Sequence, residues 1–99
     1  MPYRLSPLGE QDLDEIWFYV AEHATPTTAD RLVDDLTHRF DLLAEQPGMG
    51  RARPEFGIAV RSLPVEDYVI YYRDEGDDVL IARVLHGRRD QVAAWWESS

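Results

Sequence analysis

The stretch that constrains this chain most is Val79-Leu80-Ile81-Ala82-Arg83-Val84-Leu85, seven residues with a single polar member. A strand that is apolar on both faces needs shelter on both and neighbours on either side. The segment therefore reads as the centre of a sheet. Directly after it come His86, Gly87, Arg88, Arg89 and Asp90, the densest positive charge in the sequence. Polar groups released at the end of a buried strand are held more firmly than groups on a free loop. The remaining residues read as a scaffold for 79–90.

That scaffold is a single domain, 1–99. It is long enough to bury roughly 60–65% of its unfolded surface, and a hydrophobic share of 44% can fill the core. No apolar run approaches the ~20 residues that cross a bilayer. MPYRLSP lacks the apolar segment of a signal peptide, and zero cysteines exclude disulfides and thiol chemistry. A cytoplasmic protein without membrane contact is expected. The net charge of −9 comes from 10 basic and 19 acidic residues, every base an arginine. A field of that sign opposes nucleic acid, whose phosphates must be neutralised, so none is expected as a direct partner. The charge is uneven: residues 1–50 hold three Arg and ten acids, residues 51–99 seven Arg and nine acids.

Taken in order, Tyr3-Arg4-Leu5 alternates as a short strand. Ser6-Pro7 starts a helix, with Ser as cap and Pro in the first position. Leu13, Ile16, Trp17, Val20 and Ala24 form its apolar stripe, and Glu10, Asp12, Asp14 and Glu15 favour its N-terminal dipole. Thr25-Pro26 repeats the signal for a second helix striped by Ala29, Leu32, Val33, Leu36, Phe40 and Leu43, which ends at Pro47-Gly48. So short a connection makes the pair an antiparallel hairpin. GMGRARPEFG, 48–57, reads as loop. The period then changes from 3.6 to 2: strands at Ile58–Leu63 (ending at Pro64), Tyr68–Arg73 and Val79–Leu85, with a polar turn at 74–78. Residues 91–99 read as a short helix or a tail. The fold class is α+β: an N-terminal strand, an antiparallel helical hairpin, then a three-stranded antiparallel meander forming one curled sheet.

Chemistry is sparse. His23, His38 and His86 lack the spacing of a metal site, no glycine-rich loop leads from a strand into a helix, and no serine belongs to a triad. No metal or cofactor is expected. Arg61 and Arg83 fall mid-strand, where facing the helices would carry a large desolvation cost. They are expected on the face the helices leave open, holding phosphate or a partner's carboxylates; the plainer alternative is an ion pair with Glu66 or Asp90. Tyr68, Ile70 and Tyr72 share one strand face, and Val69, Tyr71 and Arg73 the other. Adjacent Trp95 and Trp96 diverge, leaving one of them to dock and one to meet a partner.

The ordered segments YRLSP, DLDEIWFYVAE, LLAEQPGMGRARPEF, VRSLPVEDYVIYYR and VLIARVLHGRRD resemble the RelE/ParE superfamily of type II toxin–antitoxin toxins, the ParE branch above all, over residues 3–90. The resemblance implies a growth-arresting, plasmid- or chromosome-encoded toxin. A cognate antitoxin, wrapping helices and sheet groove, holds it inactive in a hetero-oligomer. In the ParE branch the implied target is DNA gyrase, and the implied surface is Arg61, Tyr72, Arg83, His86, Arg88, Arg89, Trp95 and Trp96, with no catalytic residue. The RelE branch cleaves mRNA on the ribosome, a reaction that needs a base, cations and an acid. In this alternative the set is Glu55, Arg61, Arg83 and His86. Tyr68 stands where that branch has an Arg, Gly87 where it has a Tyr, and no lysine is present.

Overall fold

A computed structural model describes residues 3–88 together with Ala93 and Trp95. The described chain runs β1 (Tyr3–Leu5), α1 (Pro7–His23), α2 (Pro26–Glu45), β2 (Arg51–Ala52), β3 (Val60–Val65), β4 (Tyr68–Asp74) and β5 (Val79–His86). Short 3₁₀ turns at Pro47–Met49 and Pro54–Phe56 flank β2. Both helices begin as their sequences dictate. Ser6 Oγ accepts the Gly9 N–H at 2.9 Å, and Thr25 Oγ1 accepts the Thr28 N–H at 3.0 Å. Caps of this kind are each worth about 1 kcal/mol. Gln46, ahead of Pro47, leaves helical geometry (φ −133°, ψ 75°) because the proline ring crowds it.

The sheet order is β1-β5-β4-β3-β2, parallel between β1 and β5 and antiparallel elsewhere. The expected fold class holds, with three corrections. The middle strand is β4, although β5 does have a neighbour on each side. Pro64 does not end β3; it pairs with Val69. It lies beyond the reach of β2, so its missing N–H faces an open edge. The 48–57 segment is not wholly irregular, since Arg51–Ala52 pairs with Ser62–Arg61 as a fifth strand.

β1 covers β5 only from Val79 to Ile81. Beyond that point the start of α1 takes over the edge. Ser6 N–H donates to the Ile81 carbonyl at 2.9 Å, Ser6 Oγ donates to that of Ala82 at 2.7 Å, and the Val84 N–H donates to Asp12 Oδ2 at 2.9 Å. Glycine suits this approach at position 9, because a Cβ there would crowd the Ile81 carbonyl oxygen at 3.0 Å and Ser6 Oγ at 3.2 Å. Opposite, Tyr71 pairs with Arg83 and Tyr72 with Ile81, so Ala82 is an extra residue bulged out of the ladder. The bulge reverses the alternation of β5. Ile81 and Val84 face the helices, while Leu85 faces away.

Two apolar clusters result. On the helix side, Ile16, Leu36, Phe40 and Leu43 pack against Ile70, Tyr72, Val79, Ile81 and Val84. On the far side, Phe56, Val60, Tyr71 and Leu85 form a smaller cluster, joined by Val69 and half-buried Trp95. The tyrosine faces follow the sequence reading, with Tyr68 and Tyr72 toward the helices and Tyr71 away.

Candidate partner-binding cleft

The end of β5 carries His86 to the open end of the helix layer. Tyr68 lies directly across the ladder, its ring edge-on to the imidazole at 5.3 Å. Gly87 N–H donates to the Asp67 carbonyl at 2.8 Å, which folds the chain back and lets Arg88 N–H donate to His86 Nδ1 at 3.0 Å. That bond makes Nδ1 the acceptor of the ring in its neutral form. From α1, Tyr19 stacks on His23 at 4.1 Å, and His23 Nδ1 sits 2.8 Å from the Tyr19 carbonyl oxygen. The helix thereby presents the Tyr19 ring to the same space.

Two hollows, each of about 460 Å³, meet here. One is lined by Asp12, Glu15, Ile16 and Val84, the other by Val20, Leu32, Glu66 and Asp67; Tyr19, Tyr68, His86 and Arg88 line both. Burial raises the Tyr68 hydroxyl pKa above the ordinary tyrosine value, and the carboxylate of Asp67 and the phenol of Tyr19 add to the rise. Tyr68 therefore stays a neutral donor. The cleft combines an apolar floor, two phenols, an imidazole and charges of both signs, which suits a protein segment rather than a small ion. Among the described residues no group of three or more His, Asp or Glu is placed to hold a metal.

His86 and Arg88 belong to this cleft; most of the other sequence candidates do not. Arg83 lies opposite Tyr71, on the side away from the helices, but it is closed in there. It is 7% exposed, its Nε 2.7 Å and Nη2 2.9 Å from the carboxylate of Asp12, itself 5% exposed. The bulge at Ala82 sets Arg83 opposite Tyr71, and α1 supplies a carboxylate at the sheet edge where Glu66 was the expectation; Asp90 lies outside the described residues. Arg61 lies opposite Tyr72, on the helix side of β3, and donates to the Gly50 carbonyl at 2.8 Å. It escapes desolvation at the rim instead of facing away from the helices. Tyr72 has no exposed surface. Its hydroxyl donates to the Pro47 carbonyl at 2.7 Å and accepts the Gly50 N–H at 2.8 Å, so it pins a loop from inside the core. Trp95 docks on Phe56 and Tyr71, at 5.2 and 5.8 Å between ring centres. Arg89 and Trp96 lie outside the described residues.

Nor do the four residues of the ribonuclease alternative assemble. Glu55 pairs with Arg53 at 3.0 Å in the turn that packs on the far side, with its pKa lowered first by its own backbone N–H and then by Arg53. His86 is on the helix side. What the sequence missed is Asp12, Tyr19 and Tyr68 as walls of the cleft. The available signal was Asp12 itself, an acid spaced between Gly9 and Ile16 on the buried side of α1.

The family described as "ParE toxin of type II toxin-antitoxin system, parDE" matches residues 3–91. The protein named Toxin ParE1 in Mycobacterium tuberculosis is 33% identical over 89 residues, covering 89% of this chain and 91% of its own. Toxin ParE1 of Caulobacter vibrioides is 35% identical over 85 residues, 86% and 88% of the two chains. Toxin RelE3 of the same organism is 33% identical over 83 residues, 83% and 89%. A solved structure titled "Chromosomal ParDE TA system from P. aeruginosa" shares the fold, with a TM-score of 0.75 at 24% identity over 87% of this chain and 95% of that one.

Proposed function

This chain belongs to the ParE toxin family of type II toxin–antitoxin systems, and on that premise we propose that it arrests growth by binding DNA gyrase, with a cognate antitoxin covering the cleft around Tyr19, Tyr68, His86 and Arg88. The toxin acts here by occupying a surface of its target rather than by catalysis. The observation that supports this reading is the scattering of the alternative catalytic set. Arg83 is spent on Asp12, Arg61 on Gly50, and Glu55 stands across the sheet from His86. A base and an acid divided between the two sides of a sheet cannot reach one 2′-hydroxyl and its leaving oxygen.

Purified toxin incubated with gyrase, DNA and ATP is expected to block supercoiling or trap cleavage complexes. Unchanged supercoiling with no cleavage complexes refutes the reading. The relative named RelE3 keeps the ribonuclease alternative testable. Under that alternative, mRNA is cut in a translation extract, and His86→Ala greatly reduces the cutting. Under the gyrase reading the mRNA stays intact. Co-expression with a small adjacent antitoxin gene is expected to relieve growth arrest and yield a stable complex.

A further inference from the structure

The walls of the cleft carry a charge imbalance that the fold does not resolve. Asp12 is neutralised by Arg83. Glu15, on the wall of one hollow, and Glu66 and Asp67, on the wall of the other, have no ion-pair partner among the described residues. Glu15 meets only the side-chain amide of Gln11, at 3.0 Å. Against these three carboxylates, Arg88 is the one arginine lining either hollow among the described residues. The cleft is therefore net negative, in a chain whose whole charge has the same sign.

Tyr68 adds a second, independent sign of a missing group. It is 8% exposed and lines both hollows, yet its hydroxyl has no hydrogen-bond partner among the described residues. A phenol this deeply placed ordinarily has one. Tyr72, on the same strand, has both, at 2.7 and 2.8 Å. The Tyr68 oxygen is not sealed from solvent either, so it opens into the cleft. Beside it Tyr19, 58% exposed, offers an aromatic ring backed by the His23 imidazole.

The group that answers all three features is a guanidinium. Its planar fork pairs with carboxylates, its N–H groups reach a phenol oxygen, and its face stacks on an aromatic ring. Ile16 and Val84, on the wall of the other hollow, suit an apolar side chain next to it. We propose that the antitoxin segment seated in this cleft carries an arginine that enters the Glu66–Asp67 hollow, while an apolar side chain of the same segment fills the Ile16–Val84 hollow. This rests on the reading above that the antitoxin covers the cleft. The toxin is then captured by a basic anchor and not by an acidic tail seeking its arginines.

The test titrates the full chain with the protein of the small adjacent gene and follows binding by calorimetry. Glu66→Gln with Asp67→Asn is expected to weaken the complex about tenfold and to flatten its dependence on salt. Its melting temperature should match the parent, because both side chains are exposed. Tyr68→Phe keeps the ring and is expected to weaken the complex several-fold. An arginine-to-glutamate change in the antitoxin that is rescued by Glu66→Arg in the toxin identifies the pair. Undiminished affinity of the doubly neutralised chain overturns the proposal. So does a tenfold loss confined to Arg88→Gln, which marks an acidic segment instead. Tyr19→Ala separates this failure from that of the cleft reading. If it binds weakly while the neutralised chain binds fully, the cleft stands and the arginine falls; if both bind fully, the antitoxin sits elsewhere and both readings fall.

Discussion

The two sides of the sheet are filled in opposite ways. The helix side is packed by regular elements whose apolar residues recur at fixed periods, Leu36, Phe40 and Leu43 from α2 against Ile70, Tyr72 and Ile81. Among the described residues, the far side is covered by the 54–57 turn, the Trp95 indole and Arg53. The Arg53 guanidinium lies 5.0 Å from the Phe56 ring centre and 5.7 Å from that of Tyr71, and also reaches Ser62 Oγ at 3.3 Å. A periodic side derives its stability from close-packed burial, whereas an irregular side leans on ring contacts, cation–π attraction and a few hydrogen bonds, each worth about 1 kcal/mol. The irregular side is the one that can vary its outline without moving the strands.

The largest expected effect lies where the two sides meet. Asp12→Ala takes the two-oxygen carboxylate from buried Arg83 and the acceptor from the Val84 N–H, and should cost about 3–5 kcal/mol in urea unfolding. Replacing both partners, Asp12→Leu with Arg83→Met, should recover much of it. If the double variant is as weak as the single one, the pair has no well-packed apolar substitute. Next comes the direct comparison. Phe40→Ala, in the periodic core, should cost about 3–5 kcal/mol, and Phe56→Ala only about 2 kcal/mol because the turn above it can settle. Equal losses would erase the distinction between the two sides.

Smaller again is Tyr72→Phe, which strands the Pro47 carbonyl and the Gly50 N–H and should cost about 1–3 kcal/mol. The smallest effect is a pH dependence shared by both sides. Burial raises the pKa of Tyr71 and of Tyr72 above the ordinary tyrosine value. The unfolded chain then gives up these protons first. The contribution is full below pH 10 and is lost as pH rises through the higher folded values. Tyrosinate absorbance is expected to lag the free-tyrosine curve and to rise with unfolding; a curve coincident with free tyrosine would deny the burial of both rings.

The periodic side was legible in the sequence because its information is local. Ser6-Pro7 and Thr25-Pro26 mark the helix starts at the positions observed, and the stripe of α2 names its buried residues almost one for one. Pro64 misled because a proline ends a central strand but not one with an open edge. Arg83 misled for a deeper reason. Desolvation cost places it on the side away from the helices, and the bulge at Ala82 does set it there, yet its burial against Asp12, 71 positions away, has no local signal. Nothing in residues 79–90 signals that bulge; it becomes necessary only once Ser6, Gly9 and Asp12 press on the edge. The candidate site was half legible. His86 and Arg88 follow from the strand end, whereas Tyr19 enters the cleft through the docking of α1, which no single segment encodes.

The pairing of β1 with β5 also bears on when this protein becomes a toxin. The Ser6 hydroxyl waits for a carbonyl 76 positions later, so the edge where α1 docks does not exist until the last strand has been made. Synthesis runs at about 5–20 residues per second, and contacts this distant in sequence form late because a long loop must close first. A chain cut short anywhere before Val79 has no edge for β1, no Arg83 for Asp12 and no cleft. Harm to the host is withheld until translation of the domain is all but complete, an interval in which an antitoxin already present in the cell has only to wait.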